Sequence, residues 1–345
     1  VGVGNVGSKL IEQIQKQKKY LEDYLRLRIK IIALANSKKT LIDINAIDTK
    51  NWRKKLDKSE KTDLNNLFKK IKSLNLRNAI FIDNTADIKV SKEYKRYLEN
   101  NIGVVTCNKI ACADSFENYK TLKNVSRKFN SPFLFETNVG AGLPVIDTLS
   151  NLIASGDQII KIEAILSGSL NYIFNNFKNY DSFHEIVEEA MKKGLTEPDP
   201  RIDLSGIDVA RKILILARES GIDIELDEVK INSFLPKEVS EISDTDLFLK
   251  SLKKHKSHFN SYLKSVRANK SSLKYVARLN EGKAEVGLRE IQSGHDFFNI
   301  EGSDNIILFY TGRYKNNPLI VKGAGAGAEV TASGIFGDII RIGKR

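Results

Sequence analysis

The stretch Val1-Gly2-Val3-Gly4-Asn5-Val6-Gly7, running into Ser8-Lys9-Leu10-Ile11-Glu12-Gln13-Ile14, decides the fold class. Glycines at this spacing let a strand turn sharply, let a pyrophosphate approach the backbone, and let the next helix pack closely. The helix start offers unpaired N–H groups and the positive end of its dipole to an anion. An ordinary glycine turn carries the same letters, so the surroundings must discriminate. Leu10, Ile14 and Leu21 mark the apolar side of a helix over 8–24. The strand that such a loop follows is represented by Val1 alone, and a longer parent polypeptide is expected.

Working outward, apolar runs at 29–35, 79–83, 103–106 and 133–136 alternate with helical stretches near 91–100 and 114–130. That alternation predicts a parallel sheet with crossover helices, an α/β Rossmann-type dinucleotide-binding domain. Its expected extent is 1–148, completed by 328–345. The pattern then changes. Helices are expected at 143–155, from Ser167, at 183–193, 205–220 and within 240–265. Strands are expected at 159–166, 306–313 and 319–322, with a hairpin around Asn280-Glu281-Gly282. This second part, 149–327, is expected to be an α+β catalytic and dimerisation domain.

Composition narrows the classes. With 41% apolar and 28% charged residues in 345, the chain can bury a large core and is neither disordered nor collagenous. No apolar run approaches a membrane span, and no secretory leader is legible, so a cytoplasmic protein without a membrane partner is expected. Cys107 and Cys112 make no disulfide scaffold and no zinc site. Lys+Arg outnumber Asp+Glu by 55 to 43, but the lysines form short solvated runs without interleaved aromatics. No nucleic-acid partner is therefore expected.

Six constellations can carry chemistry. The first is the glycine loop, with Ala35-Asn36-Ser37-Lys38-Lys39 at the end of the next strand. That turn has no acid for a ribose 2′-hydroxyl, and its Ser and lysines suit a 2′-phosphate, favouring NADP over NAD. The second is Gly323-Ala324-Gly325-Ala326-Gly327, a second small-residue loop or a plain structural crossover. The third is Thr196-Glu197-Pro198-Asp199-Pro200-Arg201-Ile202-Asp203-Leu204-Ser205-Gly206-Ile207-Asp208-Val209-Ala210-Arg211-Lys212. Asp208 and Lys212 stand i, i+4 on a helix that is otherwise mostly apolar, so they face a polar cavity or form a solvated pair. Buried lysines change pKa readily, which suits acid–base work. The fourth is Leu166-Ser167-Gly168-Ser169-Leu170-Asn171, a helix start able to take a carboxylate or simply capped. The fifth, Thr106-Cys107-Asn108-Lys109, sets a lysine at the carboxyl edge of the sheet. The sixth, Glu136-Thr137-Asn138-Val139-Gly140-Ala141-Gly142-Leu143-Pro144, can turn carbonyl oxygens toward a cation. His184, His255, His258 and His295 are scattered and read as non-catalytic.

Together these strings resemble homoserine dehydrogenase, most closely the C-terminal half of the bifunctional aspartokinase/homoserine dehydrogenase, over essentially the whole chain. The resemblance implies reversible NAD(P)H-dependent reduction of L-aspartate 4-semialdehyde to L-homoserine, at a branch point toward threonine and methionine. It implies Lys212 as the acid/base, Asp208 as its supporting carboxylate and Lys109 at the nicotinamide side. It implies Glu197, Asp203, Gly168 and Ser169 as substrate-binding. Gly2, Gly4, Asn5, Val6, Gly7, Asn36, Ser37, Lys38, Thr85, Lys109 and Gly327 are implied as cofactor-binding, with NADP(H) preferred and NAD(H) possible. Glu136 with Val139, Ala141 and Leu143 is implied as a monovalent cation site, sodium by expectation. A homodimer or higher homo-oligomer is implied, built on a sheet near 275–327, as is a final helix returning to the nucleotide-binding domain. A bifunctional parent would carry an aspartate kinase and a threonine-sensing domain before Val1.

Three positions depart from the family's pattern: Leu195 stands for an aromatic residue, Ile202 for an acid and Ser169 for a common Thr. Leu195 and Ile202 support a rival reading, a catalytically weak dimeric structural or regulatory subunit. A different dinucleotide-dependent dehydrogenase on the same scaffold is a second rival.

Overall fold

The structure is a computed structural model and describes residues 1–344. It divides into two compact units, Val1–Gly142 with the segment from Ala326 onward, and Leu143–Gly325. The change of unit therefore falls at 142/143, ahead of the helix Ile146–Ala154.

The first unit opens with the helix Asn5–Leu25, whose Leu10, Ile11, Ile14 and Leu21 are buried. Strands β1 (Ala33–Ala35), β2 (Lys39–Ile42) and β3 (Glu60–Lys61) form an antiparallel sheet, with the short helix Trp52–Asp57 between β2 and β3. Strands β4 (Ile80–Asp83), β5 (Gly103–Thr106) and β6 (Phe133–Leu134) form a parallel sheet, Ile80 opposite Gly103 and Val104 opposite Phe133. β5 is buried throughout, as expected of a strand covered on both faces. The final helix, Ala328–Gly343, packs with Asn5–Leu25 around Leu10, Ile14, Val105, Ile335 and Ile339.

Two expectations need correction here. The run 29–35 was expected to be a parallel strand, but only its end is regular, and that end pairs antiparallel with β2. The cause is edge pairing: 33–35 finds β2, while 29–32 borders a cleft. The stretch 91–100 is not one helix but two short ones, Ile88–Ser91 and Tyr94–Leu98.

The second unit is built on a six-stranded sheet in the order β12-β11-β7-β9-β10-β8. The strands are β7 (Ile159–Ile165), β8 (Lys230–Asn232), β9 (Ser272–Asn280), β10 (Lys283–Ile291), β11 (Asp304–Thr311) and β12 (Leu319–Ala324). All pairings are antiparallel except β8 with β10. β9 and β10 turn at Glu281 and Gly282, both at positive φ (50° and 76°), which matches the twist of a tight hairpin. The helix Ile207–Glu219 packs on β9 and β10. An aromatic cluster of Phe174, Phe183, Phe234, Phe259 and Tyr275 lies in the same unit, with Phe183 and Phe259 stacked 4.4 Å apart. The lysine-rich stretch expected as one helix breaks at His255 into Thr245–Lys254 and Lys256–Asn269.

Candidate functional site

In the first unit the glycine loop leads straight into a bare helix end. A Cβ on Gly7 would lie 2.2 Å from the Gly2 carbonyl oxygen, so only glycine closes this turn. Gly4 caps the helix without a side-chain hydrogen bond, no acid occupies the first turn, and nothing lies within 4 Å of where a Gly4 Cβ would be. The N–H groups of Asn5, Val6 and Gly7 precede the first intrahelical donor, Ser8, which bonds the Gly4 carbonyl at 2.9 Å, and are left for an outside anion. Gly327 starts the final helix in the same uncapped, open way. The 36–39 turn is held by the Asn36 Oδ1, which accepts from the Lys38 and Lys39 N–H groups at 2.8 and 2.7 Å. Ser37 and Lys38 are exposed.

Thr85 and Lys109 stand on a buried polar network that the sequence reading did not find. Asp83 accepts from the Tyr94 hydroxyl at 2.6 Å, the Asn108 amide at 3.0 Å and the Thr85 N–H at 2.8 Å. Thr106 joins Tyr94 at 2.7 Å and accepts from the Asn108 N–H at 2.8 Å. Burial, then the Asp83 charge, pushes the Tyr94 hydroxyl well above its ordinary pKa, so it stays a donor. The network fixes the carboxyl ends of β4 and β5. Its one legible signal was Asp83 closing an otherwise apolar run. Burial also pushes the Cys107 thiol up to about 11, which keeps it protonated and inert.

The 136–142 loop also lies in this unit. Glu136, Thr137 and Asn138 are buried, and Gly140 and Ala141 take positive φ (78° and 52°), which turns successive carbonyls. The Glu136 N–H donates to Asp338 at 3.0 Å, and the Arg341 guanidinium lies 2.9 Å from Asp338 and 3.7 Å from the Glu136 carboxylate. The Asn138 amide is fully buried with neither polar atom partnered. Among the described residues no cluster of three or more His, Cys, Asp or Glu is placed to hold a metal. A buried carboxylate, an orphaned amide and turned carbonyls nonetheless fit a hard monovalent cation, which takes oxygen ligands. Leu143 opens the second unit, and its carbonyl accepts the Val145 N–H at 2.9 Å.

In the second unit Gly206 starts the helix Ile207–Glu219 at φ 73°, and a Cβ there would lie 1.9 Å from the Tyr275 hydroxyl oxygen. Eight residues from Val209 to Arg218 are buried, so the helix is covered over a wide arc. Lys212 is 12% exposed at its side chain. Its Nζ lies 2.8 Å from Asp208 Oδ2 and donates to the Leu166 carbonyl at 2.6 Å. Leu166 immediately precedes the cap Ser167, whose hydroxyl accepts the Leu170 N–H. The hydrogen bond from Lys212 to the Leu166 carbonyl thus ties the acid–base candidate to the start of the helix Gly168–Asn176.

Asp203 gathers the remaining residues. It accepts the Ser169 hydroxyl at 2.7 Å on one oxygen and the Glu197 N–H at 2.9 Å on the other. Glu197 itself is exposed. Asp199 caps the short helix Pro200–Leu204, and Arg201 clamps it through Nε at 2.8 Å and Nη2 at 2.6 Å. Arg201 also donates to the carbonyls of Ile242 and Ser243, which fastens this loop to the 240s. The Arg201 guanidinium holds Asp199 below the usual carboxylate range. This anchoring role was not assigned from the sequence, where Arg201 was only a letter in a motif. Ile202 is exposed and Leu195 half-buried.

These features define a two-unit α/β protein, one unit of dinucleotide-binding type and the other carrying a lysine–carboxylate pair beside an acidic cluster. The family model for homoserine dehydrogenase matches residues 144–340, and that for homoserine dehydrogenase, NAD binding domain, matches 2–136. The chain belongs to the homoserine dehydrogenase family. It is 41% identical over 342 residues to a bifunctional aspartokinase/homoserine dehydrogenase of Haemophilus influenzae, covering 99% of this chain and 42% of that protein. The chain thus spans about two fifths of the length of that relative. It is 35% identical to a homoserine dehydrogenase of Schizosaccharomyces pombe, covering 99% of this chain and 94% of that one. A Candida auris protein of unknown function superposes with TM-score 0.90 at 33% identity, covering 100% and 97%. A hyperthermophilic archaeal homoserine dehydrogenase in complex with NADPH superposes with TM-score 0.76 at 26% identity, covering 99% and 95%. Among the described residues no helix is long and apolar enough to cross a membrane.

Proposed function

We propose that the chain catalyses the reversible reduction of L-aspartate 4-semialdehyde to L-homoserine, with Lys212 as the acid and base. The observation that carries this reading is the Lys212 ammonium, nearly buried, fixed by Asp208 and the Leu166 carbonyl in the unit that holds the Glu197–Asp203–Ser169 cluster. The cofactor, NADP(H) in preference to NAD(H), belongs to Gly2, Gly4, Asn5, Val6, Gly7, Asn36, Ser37, Lys38, Thr85, Lys109 and Gly327. When bound it supplies a hydride to the aldehyde carbon.

Lys212 stabilises the alkoxide as it forms and gives it a proton; in the oxidative direction it takes that proton back. Asp208, 2.8 Å away, holds Nζ in place. Lys109 is the second candidate for this work. Glu197 and Asp203 suit the substrate ammonium, Asp203 acting also as the hub that orients the Glu197 backbone. The N–H groups of Gly168 and Ser169, at the start of their helix, suit its carboxylate. Glu136 with the carbonyls of Val139, Ala141 and Leu143 suits sodium, whose charge would rigidify the loop. We further propose a homodimer or higher homo-oligomer, a cytoplasmic location and a place in threonine and methionine biosynthesis.

The test is NADPH oxidation with L-aspartate 4-semialdehyde, repeated with NADH, for wild type and Lys212→Ala. Turnover that disappears in the variant while NADPH binding persists supports the reading. NADPH binding without turnover in the wild type overturns it and favours the structural subunit that Leu195 and Ile202 suggest.

A further inference from the structure

Asn305, near the start of β11, is fully buried, and neither its Oδ1 nor its Nδ2 has a hydrogen-bond partner. A buried amide in that state loses its hydration and regains nothing, so it calls for an explanation. The ladder fixes the face it points to. Ile306 and Leu308 join Ile165 and Val276 in an apolar cluster on one side of the sheet. Asn305 and Ile307 therefore project to the other side. There Ile307 pairs with Ala164 and Ala164 with Ala277, and Tyr275, on the same face as Ala277, meets Gly206 at the start of the helix Ile207–Glu219. Asn305 thus shares its face with the helix that carries Lys212. One step beyond the pair Ile306–Ile165, the antiparallel register sets Asn305 across from Leu166, about 5 Å away by the spacing of strands. Leu166 supplies the carbonyl that holds Lys212. Next to Asn305, the Asp304 carbonyl accepts the Asn171 amide at 3.1 Å, so this end of β11 also meets the helix Gly168–Asn176.

On its other side Asn305 pairs with Gly323 of β12, and the ladder ends at Asp304–Ala324. The next residue, Gly325, folds over the Asn305 amide. A Cβ on Gly325 would lie 2.0 Å from Asn305 Cγ, 2.1 Å from Nδ2 and 2.4 Å from Oδ1. Gly325 is not at positive φ, so room over the amide, not backbone conformation, is what requires a glycine there. Because the amide points to the helix face, Gly325 lies on that face too. Among the described residues Gly325 and Ala326 make no backbone hydrogen bond. Unpaired peptide groups therefore meet an unpaired amide that donates through Nδ2 and accepts through Oδ1.

We propose that Asn305 is a positioning residue: its amide bonds the peptide groups of the turn at Gly325 and Ala326 and fixes how far that turn folds over the sheet face beside the Lys212–Leu166 contact. The proposal rests on the reading of Lys212 as the acid and base. Rotation about the Cβ–Cγ bond aims Oδ1 at an N–H or Nδ2 at a carbonyl without moving the strand. Packing alone does not call for this residue, since an apolar side chain of the same size would fill the space without desolvating an amide. What the amide adds is direction. Its stem is fixed by β11, which is paired on both edges, so the turn it holds takes one height above the sheet. A turn held at one height keeps the space around Nζ at one size. A loose turn lets the reacting carbon drift, and a misplacement of about 1 Å is enough to cost roughly 10²-fold in rate.

The test compares wild type with Asn305→Leu and Asn305→Ser in the 345-residue chain. It reads hydrogen exchange at single amides, kcat and KM for L-homoserine oxidation with NADP⁺, and the urea midpoint. Asn305→Leu keeps the volume and removes both polar atoms. It is expected to speed exchange at Gly325 or Ala326 by about tenfold while Ile307 and Phe309 in β11 stay as they are. It is also expected to lower kcat by about tenfold, with KM for L-homoserine within about twofold and the urea midpoint unchanged or raised. Asn305→Ser keeps one donor and acceptor on a shorter stem and is expected to fall between; it carries the same comparison if the leucine variant does not fold. Unchanged exchange at both amides overturns the anchor. Faster exchange with unchanged kcat overturns the positioning role. A kcat that falls in step with the urea midpoint marks a merely structural residue and overturns it as well. A wild type that binds NADPH without turnover sinks the reading of the reaction and with it the positioning role, whereas exchange still decides separately whether the amide holds the turn.

Discussion

Among the described residues three helices begin at a glycine with no side-chain cap, and two of them, Asn5–Leu25 and Ile207–Glu219, differ in space and charge. At Asn5–Leu25 the capping Gly4 is open to solvent and the first turn carries no acid. At Ile207–Glu219 the capping Gly206 is pressed against Tyr275, and Asp208 sits in the first turn. The first helix leaves its positive end unmatched and fits an anion brought from outside. The second supplies its own carboxylate and spends it on Lys212. A bare helix end is thus a ligand site only where space and charge are both left over; where they are filled, the same local sequence device becomes a rigid mount for a side chain.

The largest way to break this contrast is Gly206→Ala. The left-handed φ and the Tyr275 clash together are expected to cost about 2–5 kcal/mol, read from urea unfolding. Full stability in that variant would mean that the mount is not rigid. Next, Lys212→Ala is expected to lower kcat by about 10²-fold or more with the NADPH Kd unchanged, measured by steady-state kinetics and cofactor titration. A Kd that rose in parallel would place the lysine in cofactor binding instead. Gly4→Ala, at φ −74°, is expected to leave the midpoint of unfolding alone while weakening NADPH about tenfold, because it crowds the approach and not the fold.

The smallest effect concerns the unit's other buried lysine. Lys274 donates to Asn175 and to the Ile300 carbonyl, and burial pushes its pKa down to about 8 from 10.5. Below pH 8 it is charged in both the folded and unfolded chain. Between about 8 and 10.5 the unfolded chain holds the proton more often, so this group makes stability rise with pH across that window. Lys274→Met is expected to flatten that rise in urea midpoints taken from pH 7.5 to 10. An unchanged slope would show that the Lys274 charge is solvated after all. Lys212, partnered by a carboxylate, and Lys274, held by neutral oxygens, would then no longer differ as their surroundings imply.

By itself the sequence determined the strand–helix alternation, the glycine loop, the Asp208–Lys212 pair and the hairpin at 280–282. Each is set by neighbours close in the chain: φ at a glycine, one helical turn, a period of apolar residues. The family followed from strings of the same local kind. Only the tertiary structure decided which polar residues meet. Asp83 finds Tyr94 and Asn108, Asp203 finds Ser169, Lys212 finds the Leu166 carbonyl, and Arg201 finds Ile242 and Ser243. Those partners lie up to 46 residues apart, and no local pattern specifies them. The run 29–35 shows the same limit from the other side. Its apolar letters suit a strand, but strand geometry needs a paired edge, and which edge is paired is a property of the assembled sheet.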